Sequence, residues 1–461
     1  MLESRRTRLA VAAVGGGNGL VLFALMTGAG LHLVALAVVA PLAVGLTRRP
    51  QRGLLVLAAL VPFDGLLLLA PRLPAIAAGW KEALVLGTLA ATFFAPPSAR
   101  AAAPRRLPGW VPAAGGLLVL ALASALVVGG LQAAWGLKIG FFFVLVAAIA
   151  WRCPLDGHER DALVTILCVA GFITAVYGLV QQVLGPANLH ALGYEYNTAI
   201  RTTGGFLRSF SSFDNPFGFG YFLMLVLLVG VPHALDRPDR LRSRAFLLAS
   251  PVLVAGLAST FVRGAWVGLF VGLAYLGAVR FPRLLLGLPF AVVGLLLLPS
   301  GVSSAAFSSS SGAERVVGWE SNIAEITGRP LGVGLGSSNA AAEKVAGAGR
   351  TETVFHPDNE YYRAAYELGA LGLWLTVLLL VSAFLSTRAV AVGVPGGDGV
   401  FALAVSSTVL AAAAASVVAT YFDTFPNNVY FWLFLGVVAS QGVSRSRPNP
   451  QPTPITSRIP A

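Results

Sequence analysis

Charge is scarce in this sequence. Only 11% of its 461 residues are Asp, Glu, Lys or Arg, and only 20 residues are acidic. Apolar residues make up 56% of the chain, and the mean hydropathy is +0.77. A soluble domain of this length does not need so much apolar sequence, whereas a helical membrane protein needs roughly 20 apolar residues for each span. The composition therefore predicts one all-α polytopic membrane domain.

Cysteine and histidine are also rare. The two cysteines, Cys153 and Cys168, fall near a predicted cytoplasmic loop and inside a predicted span, so we expect no disulfide. No His, Cys and Asp pattern has metal-ligand spacing, and we expect neither a metal nor another cofactor. The net charge of +12 could indicate nucleic acid binding. The basic residues fall instead in short clusters between apolar runs, without a nucleic-acid-binding motif, so we expect no nucleic acid partner and a lipid bilayer around the chain.

Apolar runs separated by charged residues predict about 12–14 transmembrane helices. The predicted spans cover residues 9–25, 29–47, 53–71, 81–96, 110–131, 133–151, 162–185, 216–235, 245–261, 264–279, 284–299, 365–387, 400–421 and 429–443. Most arginines fall on one side of this arrangement, which the positive-inside rule assigns to the cytoplasm together with both termini. We predict an integral membrane domain over residues 1–443 and a disordered, proline-rich cytoplasmic tail over 444–461.

Two segments on the opposite, external face are too long to be simple turns. They cover about residues 186–215 and about residues 300–364, the second being a large loop between the last spans. An amphipathic stretch within this loop predicts a helix over 313–326, ended by Gly328-Arg329-Pro330. The glycine-rich residues 331–336 lack the spacing of a phosphate-binding loop, so we interpret them as a tight turn that docks the loop.

Several arginines break the charge rule because they lie on the external face. Arg201 and Arg208 flank a Thr-Thr-Gly-Gly-Phe-Leu stretch, Arg315 lies in the large loop, and Arg263 lies between two apolar runs with almost no loop around it. A guanidinium at the hydrocarbon boundary is costly unless it faces a polar cavity or an anion, or extends to the lipid headgroups. Arginine also pairs well with phosphate oxygens. We interpret Arg201, Arg208 and Arg263 as candidates for anion binding.

The densest polar cluster of the sequence lies within residues 351–374, at the start of an apolar run. It includes His356, Asp358, Asn359, Glu360 and Tyr361. Of the five histidines, only His356 has acids, an amide and an arginine within a few residues. An acid–base role for His356 or Asp358 is the functional interpretation, and an isolated structural histidine is the alternative.

The order of these motifs resembles the O-antigen ligase and O-antigen polymerase superfamily of bacterial membrane glycosyltransferases. The resemblance covers about residues 200–375 and rests on four short motifs. These are Arg201-Thr-Thr-Gly-Gly-Phe with Asp214-Asn-Pro, Val262-Arg-Gly-Ala-Trp, Pro330-Leu-Gly-Val-Gly-Leu-Gly, and His356-Pro-Asp-Asn-Glu-Tyr followed by Glu367-Leu-Gly-Ala-Leu-Gly.

The resemblance implies transfer of a glycan from a polyprenyl-diphosphate carrier to an acceptor on the periplasmic face of the bacterial inner membrane, without metal or nucleotide. The acceptor would be a lipid A core in a ligase, a growing glycan in a polymerase, or a protein in related enzymes. The resemblance also implies that Arg201 and Arg263 hold the diphosphate, and we add Arg208 as a reserve. We further expect Asn359, Glu360, Tyr361 and Arg315 to contact substrate.

The catalytic base remains open between two residues. In the ligase pattern, a histidine stands directly before an Asn, Ser or Gln, and nine residues separate that residue from Gly-x-x-Gly. Asp358 occupies the histidine's position here. His356 lies two residues upstream. Either Asp358 has taken over the base role, or His356 acts as the base and Asp358 orients it.

Two other classes of membrane protein fit parts of this pattern. A lipid-linked glycan flippase would also have many spans and arginines, but transporters place charges along a path through the bilayer midplane. Here the polar groups collect in two external loops, and within the spans only Asp64, Lys138 and a few residues near span ends are charged. A peptidoglycan polymerase of the shape and division family fits the loop motifs less well.

Overall fold

The structure is a computed structural model that describes residues 45–46, 48–69, 78–100, 107–197, 199–287, 323–346 and 354–441. The predicted span 9–25, most of the spans 29–47 and 284–299, and the predicted tail lie outside these residues. Arg315 and most of the helix predicted over 313–326 also lie outside them; residues 323–327 are helical, and the helix ends before Gly328 as predicted.

The described chain is mostly helical. Its helices are α1 (Gln51–Leu60), α2 (Trp80–Phe94), α3 (Val111–Val128), α4 (Gly130–Phe141), α5 (Val144–Arg152), α6 (Gly157–Ala191), α7 (Pro216–Asp236), α8 (Leu241–Ser259), α9 (Arg263–Val279), α10 (Asn339–Ala346), α11 (Glu360–Gly393), α12 (Gly397–Ala415) and α13 (Asn427–Gln441). Two 3₁₀ helices, Val61–Leu69 and Pro97–Ala99, follow α1 and α2, respectively. A two-stranded antiparallel hairpin, β1 (Arg201–Thr203) and β2 (Phe206–Arg208), pairs Arg201 with Arg208.

Six of these helices, namely α3, α6, α7, α8, α11 and α12, are long and apolar enough to cross a membrane. The pair α4 and α5, bent by 45°, passes the same test as one broken span, and α9 is a shorter apolar helix. Most of the spans predicted on described residues overlap one of these long helices, and the others overlap shorter helices such as α1, α2, α9 and α13. The prediction of an all-α polytopic membrane protein is therefore confirmed.

The bundle has a buried centre and an apolar outside. Helices α7 and α12 are the most buried spans, whereas α3 and α8 leave most of their residues accessible. The accessible side chains include Leu126 and Val183, exposed to 87% and 88%. Such exposure would be unfavourable in water, but a lipid-facing surface requires it.

One predicted boundary is wrong in a way that affects the site. The span predicted over 400–421 ends at Ala415, and residues 416–426 form turns before α13. Apolar composition continues past the end of the helix, so periodicity alone could not find the end. The predicted external segment 186–215 also differs, because α6 continues to Ala191 beyond a kink at Gly185, where the backbone has φ 73°.

Candidate functional site

The hairpin brings Arg201 and Arg208 to one aromatic ring. Their guanidinium carbons lie 6.0 and 4.8 Å from the centre of the Phe217 ring, in the first turn of α7. A cation over an aromatic face is stabilised by the ring quadrupole. The two arginines of the first external segment are therefore neighbours, as a shared anion site requires.

Arg263 belongs to the same region through the segment that precedes it. Arg208 donates from Nε to the carbonyl oxygen of Thr260 at 3.1 Å, and Ser209 donates from its backbone amide to Ser259 at 2.9 Å. Helix α9 then begins at Arg263 without a side-chain cap. The hairpin and the start of α9 are thus joined directly, which places the three arginines at one end of the bundle.

Two charged residues that the sequence reasoning did not assign to the site lie beside Asp214. Lys81 donates to Asp64 Oδ2 at 2.7 Å, and Trp80 donates to Asp64 Oδ1 at 2.6 Å. Desolvation by the surrounding protein, together with the negative charge of Asp64, raises the pKa of Asp214 to about 6, whereas the positive charges of Lys81 and Arg201 lower it. Charges in otherwise apolar segments were the only sequence signal for Asp64 and Lys81.

The glycine-rich segment docks into a kink of α11. Gly369 has φ 69° and ψ −169°, and this break in the helix lets Ala370 donate to the Pro330 carbonyl at 3.0 Å. Val333 donates to the Tyr366 carbonyl at 2.7 Å, and Gly334 donates to the Glu367 carbonyl at 3.0 Å. The prediction of a tight turn that docks the loop is confirmed.

A buried charge network lies beside this docked turn. Arg363 donates from Nε to Glu360 at 3.0 Å and from Nη1 to Glu367 at 3.4 Å, and both carboxylates are less than 5% exposed. Glu367 also accepts from the Ser338 hydroxyl at 2.6 Å. Because an unpaired buried charge is costly, the arginine and the two acids act as one unit that holds the loop to α11.

Asp423, in the turns before α13, is a further acidic residue close to this network. It accepts a long hydrogen bond of 3.5 Å from the amide of Ala340, at the start of α10. The pKa of Asp423 is raised to about 6 by burial and by Glu360 and Glu367, against the lowering effect of Arg363. The sequence analysis did not single out Asp423, which falls in the short connection between the spans predicted over 400–421 and 429–443.

His356 lies at the surface of this network, about half exposed. Its Nδ1 is 3.3 Å from Asn339 Oδ1, and its Nε2 is 3.7 Å from Glu343 Oε1. Asn339 in turn donates from its backbone amide to the Phe355 carbonyl at 3.1 Å. The ring is therefore oriented by α10 while remaining accessible to a substrate hydroxyl.

The other predicted residues of this motif have different environments. Asp358 is exposed, whereas Asn359 is buried as the N-cap of α11 and accepts from the amides of Tyr361 and Tyr362 at 2.8 and 3.2 Å. Glu360 belongs to the charge network, and the Tyr361 hydroxyl donates to the Ala413 carbonyl at 2.9 Å. An Asn directly before a helix is a recognisable capping signal, so the role of Asn359 could have been predicted.

The turns at 416–426 connect the arginine region, formed by Arg201, Arg208 and Arg263, to the charge network around Arg363. Phe422 donates from its backbone amide to Glu360 at 3.2 Å, and the neighbouring Tyr421 ring packs edge-on against Tyr221 of α7 at 5.1 Å. A Cβ on Gly264, next to Arg263, would lie 3.3 Å from Val418. The cations and the acid–base groups therefore share one end of the bundle and one connecting segment.

This arrangement offers cations for an anionic group and carboxylates and a histidine for proton transfer. The helices α7, α9 and α11 all begin in this region, so their partially positive N-termini add to its positive potential. Among the described residues, no group of three or more His, Cys, Asp or Glu side chains is arranged to hold a metal ion.

One comparison with known proteins bears on this site. Residues 245–377 match the family model described as O-antigen ligase, and the matched segment contains Arg263, the docked turn and the His356 motif. No curated protein matches the chain. The match confirms the resemblance to the O-antigen ligase and polymerase superfamily.

Proposed function

From the place of residues 245–377 in the O-antigen ligase family, we propose that this multi-pass membrane protein is a metal-independent glycosyltransferase. Its donor is a glycan linked to a polyprenyl diphosphate, such as undecaprenyl diphosphate, and its acceptor is a lipid A core or a similar glycan, lipid or protein. The observation that carries this proposal is the gathering of the arginine region and the His356 region at one end of the bundle.

The arginines suit the leaving group. Cleavage of the bond between the sugar and the diphosphate leaves a polyanion, and fixed cations stabilise the charge that develops on it. Arg201 and Arg263 hold the diphosphate in this mechanism, with Arg208 beside them. The donor already contains a good leaving group, so alignment and charge stabilisation supply most of the rate.

The acceptor hydroxyl attacks the anomeric carbon and gives its proton to a base. His356 is oriented by Asn339 and Glu343 and is accessible, which supports it as the base. Asp358 is exposed two residues later and retains either the base role or an orienting role. Glu360 and Asn359 act through the fold, by fixing the start of α11, while Tyr361 and Arg315 keep their proposed contacts with substrate.

Orientation follows from the charge pattern. The opposite end of the bundle carries arginines such as Arg160, Arg240 and Arg242, and the positive-inside rule assigns that end to the cytoplasm. The site then faces the periplasm of the bacterial inner membrane, within the domain of residues 1–443. This placement suits lipopolysaccharide and other cell-envelope glycans, which are assembled outside the cytoplasmic membrane.

Two alternatives differ in what they require. A polysaccharide polymerase would use the same donor site, with a growing lipid-linked glycan as acceptor. A flippase would need a polar path through the bilayer, whereas the buried hydroxyl residues Ser406, Ser407 and Thr408 of α12 donate to carbonyls of their own helix.

The test incubates purified protein with a polyprenyl-diphosphate oligosaccharide, with and without lipid A core. Wild type should release the carrier diphosphate and form either one acceptor product or a ladder, which distinguishes ligase from polymerase. Arg263→Gln should lower transfer by about 100-fold, since removal of one oxyanion-stabilising donor costs roughly that much. Arg280→Gln, at the other end of α9, is the matched control and should transfer normally. Equal activity of Arg263→Gln and wild type would refute the site.

The choice of base is tested one residue at a time. We expect His356→Gln to lower kcat by about 100-fold or more, because the attacking hydroxyl loses its base. Asp358→Asn should lower kcat less. The reverse ranking would assign the base role to Asp358.

A further inference from the structure

Two consecutive glutamines lie in the last part of α6, just before its kink at Gly185. The helix is one of the candidate membrane spans. Gln181 is fully buried and accepts at Oε1 from the backbone amides of Phe210 and Ser211, at 3.2 and 2.7 Å. Its amide donates to the Ser211 carbonyl at 2.9 Å. A buried amide in a span is costly unless its hydrogen bonds are satisfied, and here three hydrogen bonds are made to one loop segment.

Gln182 points to the same segment and to a second one. Its Nε2 lies 2.7 Å from the Leu207 carbonyl, 2.7 Å from the Ser209 hydroxyl and 3.5 Å from the Ser259 carbonyl. The Ser209 hydroxyl in turn donates to the Gly178 carbonyl of α6 at 2.7 Å. One side chain therefore contacts the end of β2 and the end of α8 together.

Both contacted segments lead directly to the arginines. Leu207 precedes Arg208, and Ser259 lies four residues before Arg263. Arg208 itself reaches across to the Thr260 carbonyl at 3.1 Å. Gln182 thus fixes the hairpin and the segment before α9 relative to each other, because it holds both against α6.

We propose that Gln182, supported by Gln181, is a positioning residue that fixes the arginine site in the geometry that binds diphosphate. The inference rests on the proposed function, in which those arginines hold the leaving group. Neither glutamine touches the diphosphate. Each acts by limiting the motion of the backbone that carries the guanidinium groups, and fixed donors bind a polyanion better than mobile ones.

The test is Gln182→Met, which keeps the length and volume of the side chain but removes its hydrogen bonds. We expect about a 10-fold rise in the inhibition constant of inorganic pyrophosphate, which corresponds to about 1.4 kcal/mol, and a fall of similar size or larger in kcat/KM for the donor, because the backbone that carries the arginines loses its hydrogen bonds to Gln182. The KM for the acceptor should not change. A merely structural role would reduce the amount of active protein without changing the pyrophosphate constant.

Gln132→Met is the matched control, because Gln132 also donates from a helix to a loop carbonyl, that of Leu335 at 3.3 Å. It should leave the pyrophosphate constant unchanged. If Gln182→Met does not fold, Ser209→Ala removes one partner of the same amide and should shift the constant in the same direction. An unchanged constant in the folded variant would overturn the inference.

Failure of the proposed function is distinguishable from failure of this inference. If wild type does not transfer a glycan, pyrophosphate binding is measured by calorimetry, which needs no turnover. Wild-type binding that Gln182→Met weakens would support the positioning role alone. Absence of wild-type binding would overturn both the arginine site and its positioning.

Discussion

Substitution of Gly369 by alanine should separate the docked loop from α11. Gly369 has φ 69° and ψ −169°, a conformation that is open almost only to glycine. An added Cβ would also lie 2.6 Å from the Leu331 carbonyl carbon and 2.8 Å from Leu331 Cα, and these backbone atoms cannot move away without displacing the docked turn.

The cost can be built from the structure. The backbone strain alone is about 1–3 kcal/mol. Displacing the turn would also break the bonds from Val333, Gly334 and Ala370, each worth about 1 kcal/mol. A penalty of at least about 3 kcal/mol lowers the equilibrium constant for docking of the loop about 100-fold, because each 1.4 kcal/mol corresponds to a factor of ten.

The assay compares glycan transfer with tryptic cleavage after Lys344, which lies in α10. We expect Gly369→Ala to lower transfer by about 100-fold and to speed cleavage, while the helical content measured by circular dichroism stays the same. Gly393→Ala, on the same helix with no atom within 4 Å of an added Cβ, is the control. If Gly369→Ala transfers glycan and is cleaved by trypsin at the same rates as wild type, the docked turn does not support the site.

Three further predictions concern the charges and the orientation. Arg363→Met should destabilise the protein by about 3–5 kcal/mol, because two buried carboxylates lose their shared cation, and a second change, Glu360→Gln, should restore part of the melting temperature. The pKa of Asp423 is raised to about 6, so the folded state binds more protons than the unfolded state between about pH 4 and pH 6, and its stability falls as the pH rises through that window. Asp423→Asn should therefore gain melting temperature over wild type at about pH 7 but not at about pH 4; an equal gain at both would contradict this. A cysteine at Ala346 should react with an impermeant reagent from the periplasmic side, and reaction from the cytoplasm would invert the topology.

Much of the helical framework follows from local patterns. Runs of apolar residues placed the spans that became α3, α6, α7, α8 and α11, since each span needs its own continuous apolar stretch whatever its neighbours are. The break at Gly328 and the docking of residues 331–336 also followed, because glycine and proline act on the backbone where they occur.

The composition of the site depended on contacts between distant parts of the chain. Lys81 forms an ion pair with Asp64, and Asp423 lies close enough to Arg363 for the arginine to act on its pKa. Neither interaction leaves a periodic signal in the sequence. The same holds for Gln182, whose partners lie 25 to 77 residues away.

The sequence by itself determined that this is a membrane protein, where most of its spans lie, and which arginines and acids stand out from an apolar background. These conclusions need only the energetic cost of placing charge in hydrocarbon, which each residue carries with it. Only the tertiary structure decided that Arg201 and Arg208 share the Phe217 ring and that Glu367 anchors the docked loop. Hydrogen bonds act over about 3 Å, so they depend on how the helices pack rather than on the order of the residues.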